Sequence, residues 1–170
     1  MALHDWTKSL VVALIANGLA SPLIASPQPA RDGDEKLLQQ VLALLPDDKR
    51  PTVPIRFVNP REMGRTSDPG AFTLDNVPAI YVSNQTAAFD LARRGDRYAL
   101  AVLASCIWHE EQHVRGRGEV DAYNAQIELV MLFVRTNRMS EARGEALVKT
   151  LRGLRSQQQL QATRAASHPR

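Results

Sequence analysis

Cysteine is almost missing from this chain. Among 170 residues it occurs once, at Cys106, so neither a disulfide framework nor a cysteine-type zinc site can be assembled. Aromatic residues are scarce as well, at 5%. The mildly basic balance, a formal charge of +3 and a pI near 9.3, is scattered along the chain rather than gathered into a stripe. Nucleic-acid recognition wants a basic face or a platform of stacking rings; with neither here, no nucleic-acid partner is expected. Histidine is limited to four positions, His4, His109, His113 and His168. The remainder, 44% hydrophobic and 23% charged, is an ordinary globular balance with room for one modest core.

Long apolar runs are also lacking, with one exception. Leu10 to Ala25 ("LVVALIANGLASPLIA") is apolar but shorter than the roughly 18 residues a spanning helix needs, and Asn17 and Pro22 interrupt it. It follows Lys8 and ends in small residues, the pattern of a secretory signal cleaved after Ala20 or Ala25. The competing reading is a buried N-terminal helix, or an uncleaved anchor holding a small helical protein at a membrane. The expected organisation is a signal peptide over 1–25, a Pro/Gly-rich linker over 26–33, a domain over 34–156 and a polar, disordered tail over 157–170. The product is expected to be exported, periplasmic or extracellular, with no stable membrane span.

Within the domain, Leu at helical spacing in "EKLLQQVLALL" predicts a helix that "PDDKRP" stops. "VPIRFV" (53–58) reads as a strand, and "AFTLDNVPAIYVS" (71–83) as two strands meeting near Asp75 and Asn76. After Asn84 the period is helical throughout. One helix ends at Gly95, a second runs from its cap Asp96 to Gly116, a third from Gly118 to Asn137 with "LVMLFV" deeply buried, and a fourth starts at Ser140. The predicted class is α+β, a small sheet of about three strands packed on helices.

The chemistry concentrates in "WHEEQHVRGRGEVDAY" (108–123). His109 and His113 stand four apart on a predicted helix, which brings them onto one face at the separation two imidazoles need to share a zinc ion. Glu110 lies roughly 100° round the wheel from His109 and flanks the metal position without binding it, whereas Glu111, near 200°, faces away. This is the HExxH arrangement of two ligands with a Glu positioned as general base for a water that zinc activates. The competing reading is a solvated, charged helix end. With His4 in the signal and His168 in the tail, a carboxylate should complete the shell. Glu119, brought round by Gly116 and Gly118, is the first candidate, with Asp121 and Glu128 as alternatives. Cys106, one turn before His109, suits packing beneath the site better than ligation.

On these residues the chain resembles the zincin metallopeptidases. The stretch His109-Glu-Glu-Gln-His113-Val-Arg-Gly116-Arg-Gly-Glu119 has the metzincin spacing HExxHxxGxxH with Glu in the last place. Metzincins carry a Met-turn, and here Met131 falls in an apparent helix and Met139 in a loop. Gluzincins take their third ligand as a Glu from the next helix, which matches Glu119; their Asp four residues on is Tyr123 here. The layout from about Asp34 to Arg155 is similar to minimal gluzincins. The resemblance implies a minimal zincin-like fold, a Zn2+ cofactor, a peptide or protein substrate, and hydrolysis of peptide bonds with Glu110 as base. It also implies that substrate pairs with an edge strand before the active helix, the place held by "PAIYVS" (78–83) and Tyr81. Tyr123 could stabilise an oxyanion and Asp121 could orient a ligand imidazole, although packing and plain surface exposure compete with those roles. A different class of function, a zinc-stabilised binding module without turnover, is suggested by the small size of the domain. The intact Glu110 argues against it.

Overall fold

The computed structural model describes residues 32–66 and 70–167. The expected signal segment, most of the linker, His4 and His168 lie outside the described residues.

Helix α1 (Asp32–Leu42) opens the domain, starting two residues inside the expected linker. Its spaced apolar residues Leu37 and Val41, with Leu45 after its end, are buried. Full burial of side chains of this size stabilises by about 1.5–3 kcal/mol each, which is what docks an otherwise polar helix. The turn-rich segment behind it leads into strand β1 (Ile55–Val58), followed by β2 (Ala71–Leu74) and β3 (Val77–Ser83). The β2–β3 connection turns at Asn76, whose φ of 62° lies in the left-handed region that Asn tolerates better than most residues. β2 and β3 pair antiparallel with a register irregularity between Thr73 and Leu74, while β1 pairs parallel with β3.

The sheet order is therefore β1-β3-β2, which corrects one expectation. "PAIYVS" belongs to the central strand, so it has no open edge for a peptide. Alternation then separates the faces: Ile80, Val82 and Ala71 join the main core with the helices, while Tyr81, Phe72 and Ala79 form a small second cluster. Tyr81 stacks on Phe72 with ring centroids 5.3 Å apart, on the face turned away from the helices.

Helix α2 (Ala87–Arg93) is capped by Thr86, whose side chain accepts from the Phe89 N–H. Gly95 follows it with φ 84°, as its position in the sequence predicted. Helix α3 (Arg97–Val114) begins at Asp96, whose carboxylate accepts from the Ala99 N–H at 2.8 Å. It runs through the centre of the molecule, buried from Ala99 to Ala101 and again without a break from Leu103 to Gln112. Helix α4 (Glu119–Arg135) packs along α3 through Ile127, Leu129, Val130 and Phe133. "LVMLFV" is not buried all round, since Met131 is 42% exposed. Helix α5 (Glu141–Ser167) lies against α4, where only a glycine at 144 fits, because a Cβ there would overlap Val134.

Past Leu151 the α5 helix buries no further residue. The stretch from Gln157, expected to be disordered, continues as helix to Ser167. Its Gln, Leu, Ala and Arg content favours helix, and extending a formed helix costs far less than starting one. No helix among the described residues is long and apolar enough to cross a membrane. The class is α+β, as the sequence pattern predicts.

Candidate metal centre

The end of α3 and the start of α4 build one site. Gly116 adopts φ 76°, and the reversed chain closes α3 with the Gly116 N–H donating to the His113 carbonyl and the Arg117 N–H to the Gln112 carbonyl. A side chain at 116 would be strained in that conformation. Gly118 has an ordinary φ of −77°, so its freedom is not what the turn requires. The reversal places the first turn of α4 beside the last turn of α3.

His109, Glu110 and His113 form a group that could hold a metal ion, with one ligand atom from each lying within 4.8 Å of the others. Glu119 closes a tighter triangle with the imidazoles. The two Nε2 atoms are 3.2 Å apart, and the Glu119 carboxylate oxygens lie 3.5 Å from His109 Nε2 and 3.6 Å from His113 Nε2. Ligands held tetrahedrally about 2.0–2.1 Å from zinc are about 3.3–3.4 Å from one another. The carboxylate approaches each imidazole with a different oxygen, and all three separations are close to that spacing, so the residues fit the ion.

The donor chemistry agrees with the distances. His113 Nδ1 lies 3.0 Å from the Arg117 carbonyl, which can only accept, so the ring carries its proton on Nδ1 and turns a lone pair on Nε2 inwards. A carboxylate and an inward-facing imidazole lone pair then converge on a half-buried point beside His109. Such a set needs a cation or protons at its centre. The Arg117 contact has no side-chain signature in the sequence, because a backbone carbonyl makes it.

The remaining candidates sort by position. Glu110 is 7% exposed. Burial raises its pKa, and the positive charge available on His109, His113 and Arg65 pulls back only part of that rise. Nothing in the sequence singles out Arg65, whose guanidinium lies over the Phe72 ring at 4.1 Å. Tyr123 is buried and meets the His109 ring edge-on, centroids 4.6 Å apart. Cys106 is buried, and burial first, then the Glu110 charge, pushes its thiol up to about 12; a neutral thiol at that position packs rather than ligates. Asp121 and Glu128 are exposed, and neither takes part in the triangle. Tyr81 is on the far side of the sheet, as described. Met139 is buried at the opposite end of α4 from Glu119, about 25 Å along a helix of that length, and Met131 is exposed within α4, so neither supplies a Met-turn beneath the site.

No family model, curated protein or solved structure matches this chain. The chemistry of the site rests on its own geometry.

That geometry fixes a pH dependence. Burial opposes a charge on His113, but the Glu119 and Glu110 carboxylates and the Arg117 carbonyl outweigh it and raise its pKa above the ordinary 6.5. A raised group stabilises fully below its unfolded value and loses that contribution as pH rises through its folded value. For Glu119, burial works to raise the carboxyl, and the two imidazoles overcome it, bringing it from 4.5 down to about 2. A lowered group stabilises above its unfolded value and is lost as pH falls through the folded one. His113 and Glu119 by themselves give greatest stability between pH 4.5 and 6.5. Glu110, raised from 4.5, loses stability as pH climbs above that value, so the metal-free protein is expected to melt a few degrees lower at pH 8 than at pH 5.5. Thermal melts in chelator at pH 5.5 and 8 test the sign, and a melting temperature that climbs with pH would contradict it.

Proposed function

We propose that this protein is an exported, zinc-dependent metallopeptidase of gluzincin-like type. The observation that carries the reading is the triangle of His109 Nε2, His113 Nε2 and the Glu119 carboxylate, with edges of 3.2–3.6 Å and Glu110 beside it. Three protein ligands leave a tetrahedral ion one open position, the mark of a catalytic rather than a structural site. The two-His, one-Glu set suits zinc and accepts other first-row ions. When bound, such an ion supplies Lewis acidity, polarising a carbonyl and making water a nucleophile near neutral pH.

The chain's own residues do the rest. Glu110 takes one proton from the attacking water as its oxygen adds to the scissile carbonyl carbon, then gives that proton to the leaving amine nitrogen as the C–N bond breaks. Its elevated pKa brings it towards the operating pH of a base that must also act as an acid. Tyr123, packed on His109, keeps that ring in place from the α4 side. Substrate aligns along β2 instead of the central β3. Ala71 on β2 lines the cleft with His109 and Glu110, and β2 pairs with β3 on one side while its other side carries no strand among the described residues. An extended peptide can add there by backbone pairing.

Elemental analysis of wild type and Glu119→Ala tests the site. The wild type is expected to hold one zinc per chain. The variant should bind it more than ~100-fold more weakly, beyond the loss usual for removing only an orienting partner. Zinc retained fully by the variant would give the third position to another group and remove the gluzincin-like assignment.

A second reading, a zinc-stabilised binding module without turnover, draws support from the size of the cleft. It is too narrow to hold even one water molecule, where ligand pockets usually offer several hundred Å³. A wild type that holds zinc but cleaves no peptide library would favour it.

A further inference from the structure

One face of α4 meets the metal triangle at regular intervals. Glu119, Tyr123 and Gln126 follow at steps of four and three, the repeat of a helix face. Glu119 touches both imidazoles, Tyr123 packs on His109, and Gln126 reaches the preceding turn of α3. Read as a sequence, Gln126 is an inconspicuous polar residue next to an apolar run; in the structure it is 1% exposed.

Its amide is held in a defined sense. Ser105 Oγ donates to the Val102 carbonyl at 2.8 Å, so its lone pairs accept from Gln126 Nε2 at 3.1 Å. The same Nε2 lies 3.8 Å from Cys106 Sγ. With the NH2 committed there, Oε1 faces the other way, and it is buried without a partner. His109 Nδ1 is likewise buried without a partner. Gln126 and His109 line the same cleft, together with Cys106, Glu110 and Ala71. A strong acceptor and a ring nitrogen able to donate are thus both unsatisfied on the walls of one small space. Buried groups of this kind ordinarily find partners.

We propose that Gln126 is the positioning residue for His109, its Oε1 accepting the Nδ1–H of that imidazole when Nε2 engages a metal. This rests on the metal reading above. The logic is a proton count. His113 is committed to Nδ1–H by the Arg117 carbonyl, so the single proton of a neutral His109 has two places to go. On Nε2 it faces His113 Nε2 at 3.2 Å; on Nδ1 it faces the cleft and Gln126. A cation held by the three converging acceptors excludes the first. With the proton on Nδ1, a small shift of the Gln126 amide across a cleft too narrow for a water satisfies both unpartnered atoms at once. Each imidazole would have its own orienting acceptor, the Arg117 carbonyl for His113 and the Gln126 amide for His109. Ligand histidines generally use such partners, and their loss costs roughly 10–100-fold in metal affinity.

The test compares wild type, Gln126→Met and Gln126→Glu, each loaded with zinc. Methionine keeps the volume without the acceptor, and glutamate restores an acceptor oxygen. Zinc affinity, measured by competition with a chelating dye, should fall ~10–100-fold in Q126M and return substantially in Q126E. Nitrogen-resolved NMR of the zinc form should show a slowly exchanging His109 Nδ1–H in wild type that is lost to exchange in Q126M. Melting in chelator controls for folding, and Q126M is expected within ~4 °C of wild type, since it loses one hydrogen bond and one unsatisfied acceptor together. Equal zinc affinity and an unchanged Nδ1–H signal in Q126M would overturn the assignment of Gln126 while leaving the metal site standing. A wild type that takes up no zinc would overturn the metal site and this inference with it.

Discussion

Replacing Glu110 with glutamine should abolish peptide hydrolysis and leave the metal in place. Glutamine preserves the shape and keeps a carbonyl oxygen, but it cannot take a proton from water or hand one to a leaving amine. A positioned acid–base group contributes about 10²–10⁴ in rate, so kcat should drop by at least ~100-fold with little change in KM. Metal content should stay at one per chain, because the triangle of His109, His113 and Glu119 closes at 3.2–3.6 Å without Glu110. The two readouts separate the roles that geometry allows for this carboxylate. Glu110 does share a group with the two histidines within 4.8 Å, so a variant that loses its zinc would make Glu110 a ligand, and the proposed division of labour would fail. Unchanged turnover in a metal-loaded variant would remove the general base from the mechanism altogether.

The parts of this site that sequence could reveal are those governed by short-range periodicity. His109 and His113 fall on one face because a helix repeats every 3.6 residues. Asp96, Gly95 and Gly116 announce helix ends through capping and left-handed backbone, and from Gly116 it follows that Glu119 returns to the histidines. Strand positions were legible for the same reason, but strand order was not. Nothing in the alternation of "VPIRFV" says that β1 runs parallel to β3 and closes its free edge, since that depends on a crossover some twenty residues long. The partners of buried polar groups were hidden too. Gln126 and the Arg117 carbonyl act through contacts between helices or through the backbone, and neither leaves a residue-type signal. The helical wheel turns Glu111 away from His109, yet its charge gives no hint that the side chain is buried.

That burial makes Glu111 the residue whose loss should cost the fold most for a single charge. Its side chain is 0% exposed, 59 residues from the loop it holds. One carboxylate oxygen accepts from the Thr52 hydroxyl at 2.8 Å and from Arg115 Nε at 2.9 Å, and the other accepts from the Thr52 N–H at 3.1 Å. Lys49 and Arg115 both lie over the Trp108 ring, at 5.2 and 4.9 Å from its centroid. The carboxylate therefore ties the segment after α1 to the helix that carries His109 and His113, with Lys49 and Arg115 over the Trp108 ring beside it. Glu111→Ala leaves the Thr52 N–H and hydroxyl without their acceptor and opens a void beside α3. A hydrogen bond to a charged group contributes about 1.5–3 kcal/mol. Glu111 accepts three, but Thr52 is exposed and Arg115 partly so, and both regain water, which brings the net loss to about 3 kcal/mol. A loss of ~3 kcal/mol corresponds to roughly 10 °C in melting temperature for a chain of this size. Arg115→Ala should cost under ~1 kcal/mol, as its side chain already meets water. The contrast between neighbours is the sharper test. Glu110→Gln should abolish activity with the melting point nearly unchanged, while Glu111→Ala should melt far earlier yet hold its zinc below its own transition. A Glu111→Ala protein as stable as wild type would mean that the Thr52 segment is not held by this carboxylate, and the rigidity of the helix presenting His109 and His113 would need another source.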